Sequence, residues 1–560
     1  MRPIDQIADT YVDEVIKISP ANATFLGVAG RDHELDDLSP AGAAERADLD
    51  RRTLERLREA EPSDERERIA KEAMTERLEL ALDRYEAGDE HLSLNVLASN
   101  VHDMRQLFDI MNIDGAEGAA NVAARLKAIP TAFEQYADTL RAEASAGRVA
   151  ARRQVTEVAS HCDNWNGASG TDFWADLIGR ITVDGKPASG ALADALTEGA
   201  QAARGATEKF ATFLRSELAP VAPEKDAVGR ERYARASRFF LGKSVDLDET
   251  YAWGWEELHR IETEMAQTAD RIKSGASVDE AVAVLDADPT QNIADAHEFR
   301  DWMQELADAT IADMNGKHFD IPEPVRRIEC MIAPTPDGAI YYTGPSEDFS
   351  RPGRMWWSVP PGQERFSKWR EVTTVYHEGV PGHHLQVGQS AYRSELLNRY
   401  QRNLLWCSGH GEGWALYSER LMEELGYLDD PGNKLGMLDG QAFRAARVIV
   451  DIGVHLELEI PKDNPFGFAP GQTWTTDLAW DFLRAHCRID EDMLRFELNR
   501  YLGWPGQAPS YKVGERIWLA ARDDYKRRKG AAFDLKQFHT DALNLGSLGL
   551  EPFEAALKRI

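Results

Sequence analysis

The chain has 560 residues, of which 65 are Lys or Arg and 95 are Asp or Glu, for a formal net charge of −30. Such a surplus repels phosphate backbones and argues against a general nucleic-acid or anionic-membrane role. With 43% hydrophobic and 29% charged residues the composition is that of a globular protein, not a disordered one. Cys162, Cys330, Cys407 and Cys487 are too far apart for a disulfide framework or a closely spaced thiolate metal site. Arg2 to Asp9 contain no apolar stretch of signal-peptide length, and no run approaches the roughly 18–20 apolar residues of a membrane span. The expectation is a cytoplasmic protein with neither nucleic-acid nor membrane partners.

Apolar residues recur near the helical period over most of the chain. Ile4, Ile7, Ala8, Tyr11, Val15 and Ile18 begin the pattern, and residues 43–60, 64–85, 131–146, 191–218 and 247–273 continue it. Pro62 separates the second and third of these segments, and Gly147 follows the fourth. The charged run at 64–71 reads as a solvated helix face. Residues 325–333, 339–343 and 355–359 have strand composition, with turn residues at 334–338, and predict a small antiparallel sheet near residues 325–360 inside an otherwise helical protein. An exposed edge there could hold an extended peptide by strand addition. Glu423–Glu424–Leu425–Gly426, with Pro431 beyond, reads as a helix end with a glycine cap.

Three of the 14 histidines fall in Tyr376–His377–Glu378–Gly379–Val380–Pro381–Gly382–His383–His384, after an amphipathic segment at 366–376. His377–Glu378 opens like the zinc-peptidase pattern HExxH, in which two histidines one turn apart bind zinc and the glutamate activates water. Pro381 occupies the expected second-histidine position. On an ideal helix at ~100° per residue His384 would lie about 20° from His377 but roughly 10.5 Å further along the axis, too far for both to bind zinc undistorted. Proline forces a kink or bulge. Two residues inserted in a bulge would bring His383 into the second ligand position, and a larger rearrangement would bring His384; both stay open.

A third ligand is expected on a later helix. Gly411–Glu412–Gly413–Trp414 supplies Glu412, 35 residues beyond His377, where flanking glycines and a tryptophan imply tight packing. Glu419, seven residues on along the same face, is placed to accept from a ligand histidine. Arg444 opens a mostly apolar run in which Arg447, Asp451 and His455, spaced i, i+4, i+8, can form one polar stripe. That stripe suits either an internal salt bridge or a substrate contact. Residues 501–511 form a turn-rich loop ending at Tyr511, whose hydroxyl could donate to the oxyanion of an attacked carbonyl.

The segment His377 to Gln386, with its Pro–Gly–His–His signature, resembles the central motif of the bacterial domain-of-unknown-function 885 family. The resemblance extends to Glu412–Gly413–Trp414–Ala415–Leu416–Tyr417, to Arg444 through His455, to Pro505–Gly506–Gln507 with Ser510–Tyr511–Lys512, and to Phe538–His539 and Gly546–Ser547. Upstream it takes in His33 to Pro40, Tyr341–Tyr342 and Ser350 to Gly353. His410–Gly411 depart from the tyrosine that often precedes Glu–Gly–Trp. The resemblance implies a zinc-dependent peptidase of gluzincin-like, oligopeptidase-like character, one large zincin-like helical unit over residues 1–560. Lobes at about 1–235 and 236–560 and a central cleft restricting access to short peptides go with it. One zinc ion would be held by His377, His383 or His384, and Glu412; Glu378 would be the general base, with Tyr511, and His455 or Arg447, at the oxyanion. Cleavage near a peptide C-terminus, of carboxypeptidase or dipeptidase type, is the favoured detail. The alternatives are a zinc amidohydrolase acting on a small non-peptide amide and a peptide-binding protein without catalysis.

Overall fold

The computed structural model describes residues 2–90, 92, 94–333, 340–360 and 362–560. The protein is mostly helical, with a few short strands. It divides into two compact units, one of Met1–Glu61, Leu78–Arg232 and Arg495–Pro505, the other of Pro62–Arg77, Tyr233–Leu494 and Gly506–Ile560.

In the first unit α1 (Pro3–Ile18) lies against α2 (Pro40–Glu59), with Ile4, Ile7, Ala8, Tyr11 and Val12 buried as the helical period predicts. The core is built on α3 (Gly115–Ser145) and α4 (Ala191–Phe213), where Phe133 and Tyr136 stack on Phe210 with ring centres 4.8 and 5.8 Å apart. The helix expected from residue 131 begins at Gly115 and carries Pro130 inside it. A proline there removes one backbone hydrogen bond at a cost of about 3 kcal/mol. Val122, Leu126, Ile129, Phe133 and Tyr136, buried on both sides of the ring, offset that cost and keep the helix continuous.

In the second unit α5 (Leu247–Ile272) presents Tyr251, Trp255, Leu258, Ile261 and Met265 as one buried stripe. Asp246 caps its start by accepting from the Asp248 and Glu249 amides. Three strands follow: β1 (Ile328–Ile332), β2 (Tyr341–Thr343) and β3 (Gly353–Trp357). The sheet is mixed rather than antiparallel. β3 lies in the middle, parallel to β1 (Ile328 opposite Gly353, Ile332 opposite Trp357) and antiparallel to β2 (Tyr341 opposite Trp356). Strand composition marks which residues pair but not the order in which strands lie side by side. The turn expected at 334–338, and Ala339, lie outside the described residues. Ile328, Cys330, Gly353, Met355 and Trp357 alternate inward. The side-chain amide of Gln304 donates to Ile328 O at 3.0 Å and accepts from Cys330 N at 2.9 Å, as a neighbouring strand would.

The remaining elements that matter are α6 (Lys368–Glu378), α7 (His383–Tyr392), α8 (Ser408–Glu424), α9 (Pro431–Leu456) and α10 (Ser510–Lys529). α8 ends where the sequence implies, with Gly426 at φ +86° and Pro431 opening α9 behind the Asp430 cap. α8 and α10 approach closely: a Cβ on Gly413 would lie 2.5 Å from the carbonyl carbon of Gly514.

Candidate metal centre

The segment around Pro381 is a complete break, not a bulge. α6 stops at Glu378, residues 379–382 form a loop in which the Val380–Pro381 peptide is cis, and α7 starts at His383. Proline cannot donate at that point and excludes continued helical backbone, so the chain turns and resumes on a new axis. The loop is anchored from α8, whose Trp414 indole donates to Pro381 O at 2.9 Å and to Gly382 O at 3.3 Å.

This turn brings His383, not His384, to His377. The two rings stand 4.9 Å apart and perpendicular, at 89°. Glu412, near the start of α8, completes a group of three buried or half-buried side chains whose ligand-type atoms all lie within 4.8 Å of one another. Glu412 Oε2 is 3.4 Å from His377 Nε2 and 3.3 Å from His383 Nε2. Charge-assisted hydrogen bonds are shorter, about 2.7–2.9 Å. Tetrahedral ligands at zinc-like distances of about 2.0–2.1 Å are separated by about 3.3–3.4 Å. Two imidazole nitrogens and one carboxylate oxygen are also the donor set of catalytic zinc sites that keep one position open. The residues fit a zinc ion by both spacing and donor chemistry.

The electrostatics point the same way. Burial opposes a charge on His377, yet Glu412 and Glu419 outweigh it and push its pKa up to about 9. Burial likewise opposes ionisation of Glu412, but His383 and His377 hold it well below the usual carboxylate range. The centre stabilises positive charge between these groups. Glu419 Oε1 accepts from His377 Nδ1 at 2.7 Å, and Oε2 accepts from the Thr373 hydroxyl at 2.7 Å. The proton is thereby placed on Nδ1 and Nε2 is left facing Glu412. Glu378, 6% exposed, has a carboxylate oxygen, Oε2, with no hydrogen-bond partner among the described residues, and burial raises its pKa.

His384 is turned elsewhere. Its Nε2 is 2.7 Å from Val325 O and its Nδ1 2.9 Å from Tyr342 Oη. The carbonyl can only accept, so Nε2 carries the proton and Tyr342 donates to Nδ1. Burial holds the ring neutral, with its pKa lowered to about 4. Both nitrogens are used in joining α7 to β2 and to the chain before β1.

Of the α9 residues, Arg447 is buried with its guanidinium 4.2 Å over the Phe443 ring and 5.0 Å over that of Tyr511. Arg444, one turn earlier, lies 5.9 Å over the same tyrosine and reaches to 3.9 Å from Glu419. Tyr511 is thus linked to the histidines through Arg444 and Glu419. His455 lies two turns beyond Arg447, fully buried beside Tyr233 and 3.9 Å from Asp451, whose Oδ2 accepts from Tyr233 Oη at 2.7 Å. Arg444, three residues before Arg447 and on the same helix face, thus belongs to the site, whereas the i, i+4, i+8 spacing points only to Arg447, Asp451 and His455.

A mostly helical protein with a buried histidine–histidine–glutamate centre is therefore the class that fold and site define. The chain belongs to a bacterial protein family of unknown function, DUF885, whose family model matches residues 20–557. Among solved structures it is similar to a candidate lipoprotein from Colwellia psychrerythraea, at 21% identity and TM-score 0.83, covering 99% of this chain and 98% of that one. A candidate lipoprotein of unknown function from Shewanella oneidensis is similar at 18% identity and TM-score 0.71, covering 99% of each chain. No functionally curated protein matches the chain. The two structures establish the fold, and both of these neighbours are described as candidate lipoproteins, which corrects the expectation of a cytoplasmic protein. No helix among the described residues is long and apolar enough to cross a membrane.

Proposed function

We propose that the protein is a zinc-dependent peptidase of the gluzincin kind, zincin-like in its site, that hydrolyses short peptides. The observation that carries this reading is the convergence of His377 Nε2 and His383 Nε2 on Glu412 Oε2 at 3.4 and 3.3 Å, with the unpartnered buried Oε2 of Glu378 on the residue next to His377. His377, His383 and Glu412 would hold the ion. A bound zinc supplies Lewis-acid polarisation of the scissile carbonyl and makes water acidic enough to deprotonate near neutral pH. Glu378 takes a proton at Oε2 from the attacking water and passes it to the leaving nitrogen. Burial raises its pKa, which favours taking up the proton. Glu419 fixes the tautomer and orientation of His377. Tyr511, flanked by Arg444 and Arg447, is the donor for the oxyanion, and the two guanidinium groups favour negative charge at that end.

The test is a panel of short peptides and acyl-amides offered to zinc-loaded protein, alongside Glu378→Gln. Cleavage of peptides, reduced by about 10²-fold or more in Glu378→Gln, is expected. Hydrolysis of acyl-amides alone would overturn the peptide assignment, and undiminished hydrolysis by Glu378→Gln would overturn the role of the glutamate.

A further inference from the structure

Trp406 is the one tryptophan among the exposed large hydrophobic side chains of the described residues; 47% of it faces solvent, while Leu405 and Cys407 on either side are buried. It is not a stray surface residue. Its ring centre lies 6.1 Å from that of His383, the two rings tilted by 55°. Its six-membered ring rests on Gly411, where a Cβ would come within 2.3 Å of Cη2 and 2.7 Å of Cζ2. The residue just before Glu412 must therefore lack a side chain for the indole to lie where it does. The ring is held on the backbone of the helix that carries Glu412, lies beside His383, and leaves nearly half of its surface to solvent.

Single exposed apolar residues are common on protein surfaces and carry no meaning by themselves. An indole seated on a glycine beside a candidate ligand ring is different, because the apolar area it leaves uncovered adjoins the reacting centre. Covering such an area with an apolar or aromatic group is favourable, and the flat ring restricts the geometry in which this occurs. Arg444 reaches the centre through Glu419 and His377, whereas Trp406 reaches it through His383. Cationic and apolar determinants thus attach to different histidines.

We propose that Trp406 forms an apolar side-chain subsite beside the metal centre, so that the preferred substrates are peptides with a bulky apolar or aromatic residue flanking the scissile bond. This rests on the peptidase reading of the site. Short peptides with free termini that differ only in one residue flanking the scissile bond (Phe, Leu, Ala or Glu) are given to the full-length zinc-loaded protein, to Trp406→Ala and to Trp406→Phe. Wild type is expected to favour Phe and Leu over Ala by about 10-fold in kcat/KM. In Trp406→Ala that ratio falls towards one through a higher KM for the Phe and Leu peptides, and Trp406→Phe restores most of it. A second readout needs no turnover: N-acetyl-phenylalanine amide, but not N-acetyl-alanine amide, changes a component of tryptophan emission that Trp406→Phe lacks.

Cleavage with no preference between Phe and Ala, or a preference that survives in Trp406→Ala, overturns the subsite and leaves the peptidase standing. No cleavage together with the Trp406-dependent emission change supports the apolar site and overturns the peptidase. A dimer that separates on Trp406→Ala, without response to the aromatic amide, assigns the indole to self-association and overturns the subsite.

Discussion

On the proposed metal-site reading, replacing Glu419 should weaken zinc binding without touching a ligand. Its side chain is fully buried, with Oε1 2.7 Å from His377 Nδ1, Oε2 2.7 Å from Thr373 Oγ1, and Arg444 3.9 Å away. In Glu419→Gln the amide oxygen still accepts from His377, and the amide nitrogen donates to Thr373 once that hydroxyl turns round. Geometry is kept and charge is lost. A charge-assisted bond becomes a neutral one about half as strong, so zinc affinity falls by about 10-fold, the lower end for groups that orient a metal-bound histidine. In Glu419→Ala the Nδ1–H and the Thr373 hydroxyl lose this acceptor and Arg444 loses a nearby carboxylate, and the loss approaches 100-fold, or about 2.7 kcal/mol. Metal-stripped protein is titrated against a chromophoric zinc chelator, with circular dichroism to show that each variant is folded. Both folded variants binding zinc within twofold of wild type would refute the argument that Glu419 sets the His377 tautomer.

Four further outcomes are expected. His383→Ala loses zinc to background by elemental analysis of protein purified without chelator. His384→Ala keeps the metal but loses about 1–3 kcal/mol in urea unfolding, because the Val325 carbonyl and Tyr342 hydroxyl lose their partner; the reverse pattern would exchange the two assignments. Asp50 is pushed up to about 6 by burial, against the hydrogen bond it accepts from Tyr11 at 2.8 Å. A carboxyl whose folded pKa is raised binds its proton more tightly in the native state, so its stabilisation is complete below about pH 4 and lost as pH rises through about 6. The full shift would be worth about 3 kcal/mol, and partial solvent contact reduces it to about 1–2 kcal/mol. Asp50→Asn should flatten that slope in unfolding free energy between pH 4 and 8, and an unchanged slope would exclude Asp50 as its source. Gly413→Ala drives a methyl against the Gly514 backbone, 2.5 Å from its carbonyl carbon, and destabilises by at least about 1–3 kcal/mol; full stability in calorimetry would show that α8 and α10 can separate.

Local spacing revealed the helices well, because a buried stripe such as Tyr251 to Met265 is written in the order of residues along the chain. The two prolines show where that stops. Pro130 is held in α3 by apolar residues packed on both sides of it, whereas Pro381 ends a helix whose continuation would carry the next histidines away from His377. The residue beside a proline does not decide between these outcomes; packing from elsewhere does. The same holds for the choice between His383 and His384. It turns on Val325 and Tyr342, 59 and 42 residues distant in sequence, whose atoms engage both nitrogens of His384. The strands were recognisable by composition, but their parallel pairing arises from a long-range order that composition does not encode. Trp406 lies outside any periodic stripe, and the glycine on which it rests, Gly411, sits in the next helix, so local spacing does not mark it.

One helix holds every part of the centre. α8 contributes Glu412 as a candidate ligand, grips the loop before His383 through Trp414, and orients His377 through Glu419. A shift of α8 would displace a ligand, the spacing of the two histidines and the tautomer of one of them at once. As a metal site the centre would be a single cooperative switch: partial loosening should release a bound ion outright instead of passing through weaker two-ligand states, and on heating zinc-loaded protein should give up the ion in the same step in which α8 detaches.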